Sequence, residues 1–203
     1  MPTPHQHQSV RLLRPCIALL PEYVDALERG WSPDNLRPEA TREQLAETAQ
    51  SPEAFIASLE DRTSKGNTVT LPDGTRVPRL PGFRRWIWQD GFCGVIGVRW
   101  QSGTEELPPT CSGHIGYAIL PWRRNEGLAS AALIAFLPEV RKTGLRHVDL
   151  TTSPENRASI RVMQNAGAEF VERFRMHPSL GGEEAVKYRI SLSETSSGDS
   201  SAI

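Results

Sequence analysis

Apolar positions along the chain change period several times, and each change marks an element. Val10 to Leu13 suits a short first strand. Leu20, Tyr23, Val24 and Leu27 recur at helical spacing around Pro21, and Gly30 stops the run. Thr41-Arg42-Glu43-Gln44 has the form of a capping box and predicts a helix from Arg42. Ser51-Pro52 predicts another helix start, with Phe55, Ile56 and Leu59 on its apolar face. Leu71-Pro72-Asp73-Gly74 between Val69 and Val77 predicts a hairpin within 67–77. Arg79 to Gly82 reads as a break. Trp86 to Gln89, the turn Asp90-Gly91 and the return from Cys93 to Trp100 predict a second hairpin, in which Gly94 and Gly97 suggest a bulge or close packing.

The second half is more regular. Ile115, Tyr117, Ala118, Ile119 and Leu120 form an apolar strand, Pro121 to Gly127 a turn, and the residues from Leu128 an alanine-rich helix. Pro138 should kink that helix or shorten it, and Gly144 should end it. His147 to Thr152 is the next strand, and a parallel crossover is the natural way to reach it. A helix then opens near Asn156, with Ile160, Val162, Met163 and Ala166 apolar and Gly167 as its cap. Residues 168–175 and 185–190 read as two final strands. Helices and a mixed sheet in this order give an α+β fold. Residues 1–8 and the low-complexity tail 193–203 are expected to be flexible. That leaves one domain over 9–192, with a helical N-terminal part over about 15–62.

Composition narrows the classes. A chain of 203 residues can bury one sizeable core. With 23 basic against 24 acidic residues, a generic nucleic-acid or anionic-membrane surface is disfavoured. No apolar run is long enough to span a bilayer, and the N-terminus lacks a signal-peptide pattern. Three scattered cysteines, Cys16, Cys93 and Cys111, argue for free thiols in a reducing, cytoplasmic setting and against a zinc cluster.

The stretch with chemical character is the strand, turn and helix from His114 to Arg141. The first amides of a helix lack partners and carry partial positive charge. Gly127 and Ala129 leave room for an anion there, and Arg123 and Arg124 can supply charge-assisted hydrogen bonds.

Arg124-Asn125-Glu126-Gly127-Leu128-Ala129, followed one strand later by Asn156-Arg157-Ala158-Ser159 and Asn165-Ala166-Gly167-Ala168, resembles the GNAT superfamily of acetyl-CoA-dependent N-acetyltransferases. The resemblance covers roughly residues 80–192, and the phrases GHIGY and NRAS…NAG resemble a poorly characterised bacterial branch of predicted acetyltransferases. It implies a GNAT-like sheet, mostly antiparallel, whose fourth and fifth strands splay apart. It implies acetyl-CoA as co-substrate, with no metal. The pyrophosphate would lie on the turn from Arg123 through Arg124, Asn125, Glu126, Gly127 and Leu128 to Ala129. The pantetheine arm would pair with backbone near Ile119 and Leu120, and Asn156 and Ser159 would contact the cofactor.

The implied reaction is acetyl transfer to a primary amine, of a small molecule or a peptide, by direct attack in a ternary complex. The alternative is a sensor module that binds acyl-CoA without catalysis, and a homodimer is compatible with either. His114 is the candidate base by type. In several family members the base lies one position earlier, where this chain has Gly113, so strand alternation points His114 to the other face unless a bulge re-aims it. Many relatives protonate the departing thiolate with a Tyr at the position of Met163, which has no proton to give; Tyr117 or water would have to serve instead. Glu105 and Glu106 could attract a cationic amine or stand as solvated loop charges.

Overall fold

The computed structural model describes residues 9–64 and 68–192. The expected flexible ends and residue Asn67 of the first hairpin lie outside the described residues. The chain runs β1 (Arg11–Leu13), α1 (Leu20–Glu28), α2 (Ala40–Gln50), α3 (Pro52–Ser58), β2 (Glu60–Asp61), β3 (Thr68–Thr70), β4 (Arg76–Pro78), β5 (Gly82–Trp88), β6 (Phe92–Arg99) and β7 (Ile115–Ile119). It continues through α4 (Leu128–Arg141), β8 (His147–Thr152), α5 (Arg157–Asn165), β9 (Glu169–Arg175) and β10 (Glu184–Ser191). This is an α+β fold.

Two sheets carry the core. The first has the order β1-β5-β6-β7, with β2 also paired to β5; the second has the order β8-β10-β9. Strand alternation divides the first sheet's residues between two apolar clusters. Trp86, Val95, Ala118 and Leu120 pack with Tyr23, Leu27 and Phe55 from the N-terminal helices. Ile87, Ile96, Val98 and Ile115 pack with Leu133 and Phe136 of α4 and with Val148 and Leu150 of β8. Tyr23 stacks on Trp86 with ring centroids 5.2 Å apart, so Trp86 is core, as its full burial shows. Glu22 accepts the Phe92 N–H at 3.1 Å and ties α1 to the β5–β6 turn. Among the described residues no helix is long and apolar enough to cross a membrane, and no group of three or more His, Cys, Asp or Glu side chains could hold a metal ion.

Local chemistry explains where the elements depart from expectation. The capping box fails because the helix starts earlier, at Ala40, and the Thr41 hydroxyl donates instead to the Trp31 carbonyl at 3.1 Å. Ser51 does cap α3, accepting from the Ala54 N–H at 3.3 Å. The break at Gly82 is the first residue of β5. α4 runs through Pro138 to Arg141; the carbonyl that Pro138 leaves without a donor belongs to Ile134, which is 50% exposed, so water can serve it. β7 and β8 are neighbours but form no ladder, so the expected crossover delivers β8 to a second sheet.

Candidate active site

Two hydrogen bonds join the sheets where β7 begins. The His114 N–H donates to the Asp149 carbonyl at 2.7 Å, and the Asp149 N–H donates back to His114 Nδ1 at 3.0 Å. Gly113 permits the approach: a Cβ there would lie 3.1 Å from the Asp149 oxygen and 3.3 Å from the Thr151 nitrogen. Asp149 holds Arg189 in a two-bond fork at 2.7 and 2.9 Å. Burial alone would raise the Asp149 carboxyl, but the Arg189 fork outweighs it and the group sits below the usual carboxylate range. His114 is 1% exposed, and burial pushes its imidazole down to about 4. With Nδ1 accepting, the ring proton sits on Nε2, which is buried without a partner among the described residues. Glu105 is engaged with Arg146 at 3.1 Å and lies 3.8 Å from His147 Nδ1.

From that point β7 and β8 part, and the β7 edge is left open. Arg99 N–H donates to the His114 carbonyl, and Leu120 N–H to the Cys93 carbonyl. In an antiparallel pair the bonded positions alternate, so the His114 carbonyl and the backbone groups of Gly116, Ala118 and Leu120 turn to β6. Ile115, Tyr117 and Ile119 turn theirs to the gap. The Tyr117 carbonyl accepts the Asn35 carboxamide N–H at 2.9 Å. On the other side, the Tyr117 hydroxyl crosses to α5 and bonds Ser159 Oγ at 2.9 Å. Burial raises the Tyr117 phenol, against the pull of the Ser159 hydrogen bond. Met163, one turn beyond Ser159, is buried in the core.

Beyond β7 comes the turn into α4. Asn125 and Gly127 both take positive φ, 65° and 76°, which folds the chain so that α4 begins with Gly127 at its N-cap and no side chain capping it. The first bond of the helix is Ala131 N–H to the Gly127 carbonyl at 3.1 Å, so the amides of Leu128, Ala129 and Ser130 have no carbonyl to serve within it. A Cβ at Gly127 would meet nothing within 4 Å. The turn's two arginines differ. Arg123 binds Glu126 at 2.9 Å and the Gln89 carbonyl at 3.1 Å and so braces the turn, whereas exposed Arg124 has no partner among the described residues. Trp122 lies under Arg29, whose guanidinium carbon is 3.7 Å from the ring centroid. Asn156 is the N-cap of α5: its Oδ1 accepts the Ser159 N–H at 3.1 Å, which leaves its amide NH₂ to face outward chemistry.

Residues 21–169 match the model of the acetyltransferase (GNAT) domain. The chain belongs to the GNAT family. GNAT structures also share its fold. The microcin C7 self-immunity acetyltransferase MccE, solved with acetyl-CoA and AMP, aligns at a TM-score of 0.59 with 11% identity, over 91% of this chain and 93% of that one. RimJ of Mycobacterium smegmatis, solved with CoA-disulfide, gives 0.61 with 16% identity, over 90% and 81%. A GNAT acetyltransferase of Bacillus anthracis gives 0.53 with 19% identity, over 92% and 97%. No curated protein sequence matches the chain.

For this GNAT chain the structure joins Tyr117 to Ser159, beside the Asn156 cap, and leads β7 through the turn from Arg123 to Ala129 into α4. It turns Leu120 toward β6 and sets His114 at the closed end. Asn35 was not visible as a site residue: it stands 82 positions from Tyr117, in a loop with no periodicity, and only the fold brings it to the strand edge.

Proposed function

We propose that this GNAT domain binds acetyl-CoA in the gap between β7 and β8 and transfers its acetyl group to a primary amine by direct attack. The observation that carries the reading is the open β7 edge, with the backbone groups of Tyr117 and Ile119 turned outward beside an uncapped helix N-terminus. The residues present fit the coenzyme. The free amides of Leu128 to Ser130, the space over Gly127 and the exposed Arg124 suit a pyrophosphate. The edge of β7 suits an amide-bearing arm added as a strand would be. Asn35 stands on that edge and would yield its bond to Tyr117 or share it.

The thioester supplies an activated acyl group; the chain's part is to hold it, polarise it and manage protons. The outward N–H groups of β7 can receive negative charge on a carbonyl oxygen. We assign the proton donor to Tyr117: burial keeps its phenol protonated at neutral pH, and Ser159 fixes its direction. The helix position of the usual Tyr holds Met163, and Tyr117 brings a hydroxyl to the same helix from the facing strand. His114 reads as a fastener of the closed end, because its Nδ1 is already an acceptor and its Nε2 carries the proton.

That absence of a poised base gives the second reading, a GNAT-fold acyl-CoA sensor, its one support. Thiol release separates the two: titration calorimetry should show acetyl-CoA binding, and a broad amine panel should release CoA. Binding with no release across the panel selects the sensor. Tyr117→Phe is expected to lower kcat by about ten- to a hundred-fold with acetyl-CoA affinity nearly unchanged. Unchanged kcat would remove Tyr117 from the chemistry.

A further inference from the structure

On the face of the first sheet where α1 lies, the helix covers only one end. Trp86, Val95, Ala118 and Leu120 are under it. The next cross-strand row is Arg84–Gly97–Gly116, on β5, β6 and β7. Its two glycines make a floor without side chains, and two arginines lie on it. A Cβ at Gly97 would come within 2.9 Å of Arg84 Cγ, and one at Gly116 within 3.3 Å of Arg99 Nη2. Gly116 is followed directly by Tyr117, whose backbone opens to the gap, about 3.4 Å further along the strand.

Neighbouring arginines are spent. Arg85 binds Glu139 at 2.7 Å, Arg62 binds Glu60 at 3.3 Å, and Arg79 donates to the Ser58 carbonyl at 2.6 Å. The guanidinium groups of Arg84 and Arg99 have no hydrogen-bond or ion-pair partner among the described residues.

We propose that this row is the acceptor's seat, and that the acceptor is an amine bearing an anionic oxygen group, a carboxylate or a phosphate, which Arg99 and Arg84 hold. The proposal rests on the acetyl-transfer reading above and names its substrate class. A guanidinium presents two parallel N–H bonds to such a group, a fit that a neutral acceptor cannot repay. The site also answers the missing base in part. A positive neighbour disfavours the ammonium form, so an amine held beside two guanidinium groups loses its proton more readily. The electron pair of that neutral amine forms the new C–N bond, the C–S bond breaks with its pair leaving on sulfur, Tyr117 protonates the thiolate, and the proton lost by the new amide nitrogen passes to solvent or back to the Tyr117 phenolate.

The test is initial-rate acetylation of β-alanine, O-phosphoethanolamine, ethanolamine and ethylenediamine, together with dipeptides beginning with Asp or Lys, on the wild-type chain and on Arg99→Ala, Arg84→Ala and Arg99→Glu. The anionic amines should be preferred by about ten-fold or more in kcat/KM, as expected for a charge-assisted contact. β-Alanine against O-phosphoethanolamine then tells carboxylate from phosphate. The alanine variants should lose that preference mainly through KM, with neutral amines losing clearly less than the anionic ones, and Arg99→Glu should invert the order. A neutral or cationic acceptor as the best substrate, or an equal loss on all acceptors, overturns this proposal and leaves acetyl transfer standing. Acetyl-CoA binding with no amine turned over rejects the transfer reading and this proposal with it.

Discussion

Gly127→Glu should lower acetyl-CoA affinity by about a hundred-fold or more while the protein stays folded. Gly127 is the N-cap of α4 at φ 76°, and a side chain added there meets nothing within 4 Å. Replacing it therefore costs only the strain of a non-glycine residue at positive φ, about 1 kcal/mol. The carboxylate, however, would stand where the pyrophosphate is proposed to lie. Two like charges about 4 Å apart at an effective dielectric of about 20 repel by about 4 kcal/mol, well beyond the strain. Gly127→Ala separates the two effects, since it carries the strain without the charge or the bulk. Calorimetry on both variants, with melting curves alongside, decides the matter. Equal affinity in folded Gly127→Glu would remove the cofactor site from this turn.

That turn was legible in the sequence because its information is local. Glycine at a positive φ, small residues at a helix start and arginines beside them all fall within seven positions, from Arg123 to Ala129. The apolar alternation of β7 and the Asn156 cap were legible for the same reason. What could not be read was the use of each arginine. Arg123 and Arg124 look alike in sequence, yet one braces Gln89 across the fold and the other has no partner among the described residues. Arg84 and Arg99 stand on the two strands of one hairpin, and nothing local in the sequence sets them apart. Their meaning appears only when cross-strand pairing lays Gly97 and Gly116 between them, and register is a property of the folded sheet. His114 illustrates the same limit: its residue type suggested chemistry, and its partner, Asp149, is 35 residues away.

The same histidine gives the second large prediction, on stability. In the folded chain His114 accepts the Asp149 N–H and is sealed from water, which holds its pKa at about 4. In the unfolded chain the imidazole returns to about 6.5. Between those values the unfolded state binds more protons, so stability falls as pH drops from about 6.5 to about 4 and the loss then levels off. The gap corresponds to about 3 kcal/mol. The groups facing the ring do not reverse the sign. Asp149 and Glu105 favour the protonated form, His147 and Arg189 oppose it, and burial outweighs them all. Asp149, held below the ordinary carboxylate range by Arg189, adds a separate loss only at lower pH, as it is protonated out of its fork. Urea unfolding of the wild-type chain from pH 7 to 4 should therefore show a slope that His114→Asn abolishes. Asn can still accept the Asp149 N–H, so at pH 7 it should be more stable than His114→Ala, which leaves that donor buried and unpaired. A base would behave otherwise: both variants would lower kcat at pH 7, and the rate profile of the wild-type enzyme would turn at the imidazole's pKa while its stability stayed flat. Because His114 ties the start of β7 to Asp149 of β8, loosening it should also weaken acetyl-CoA binding as the pH falls toward 4, with the Tyr117 dependence of kcat unaltered at pH 7.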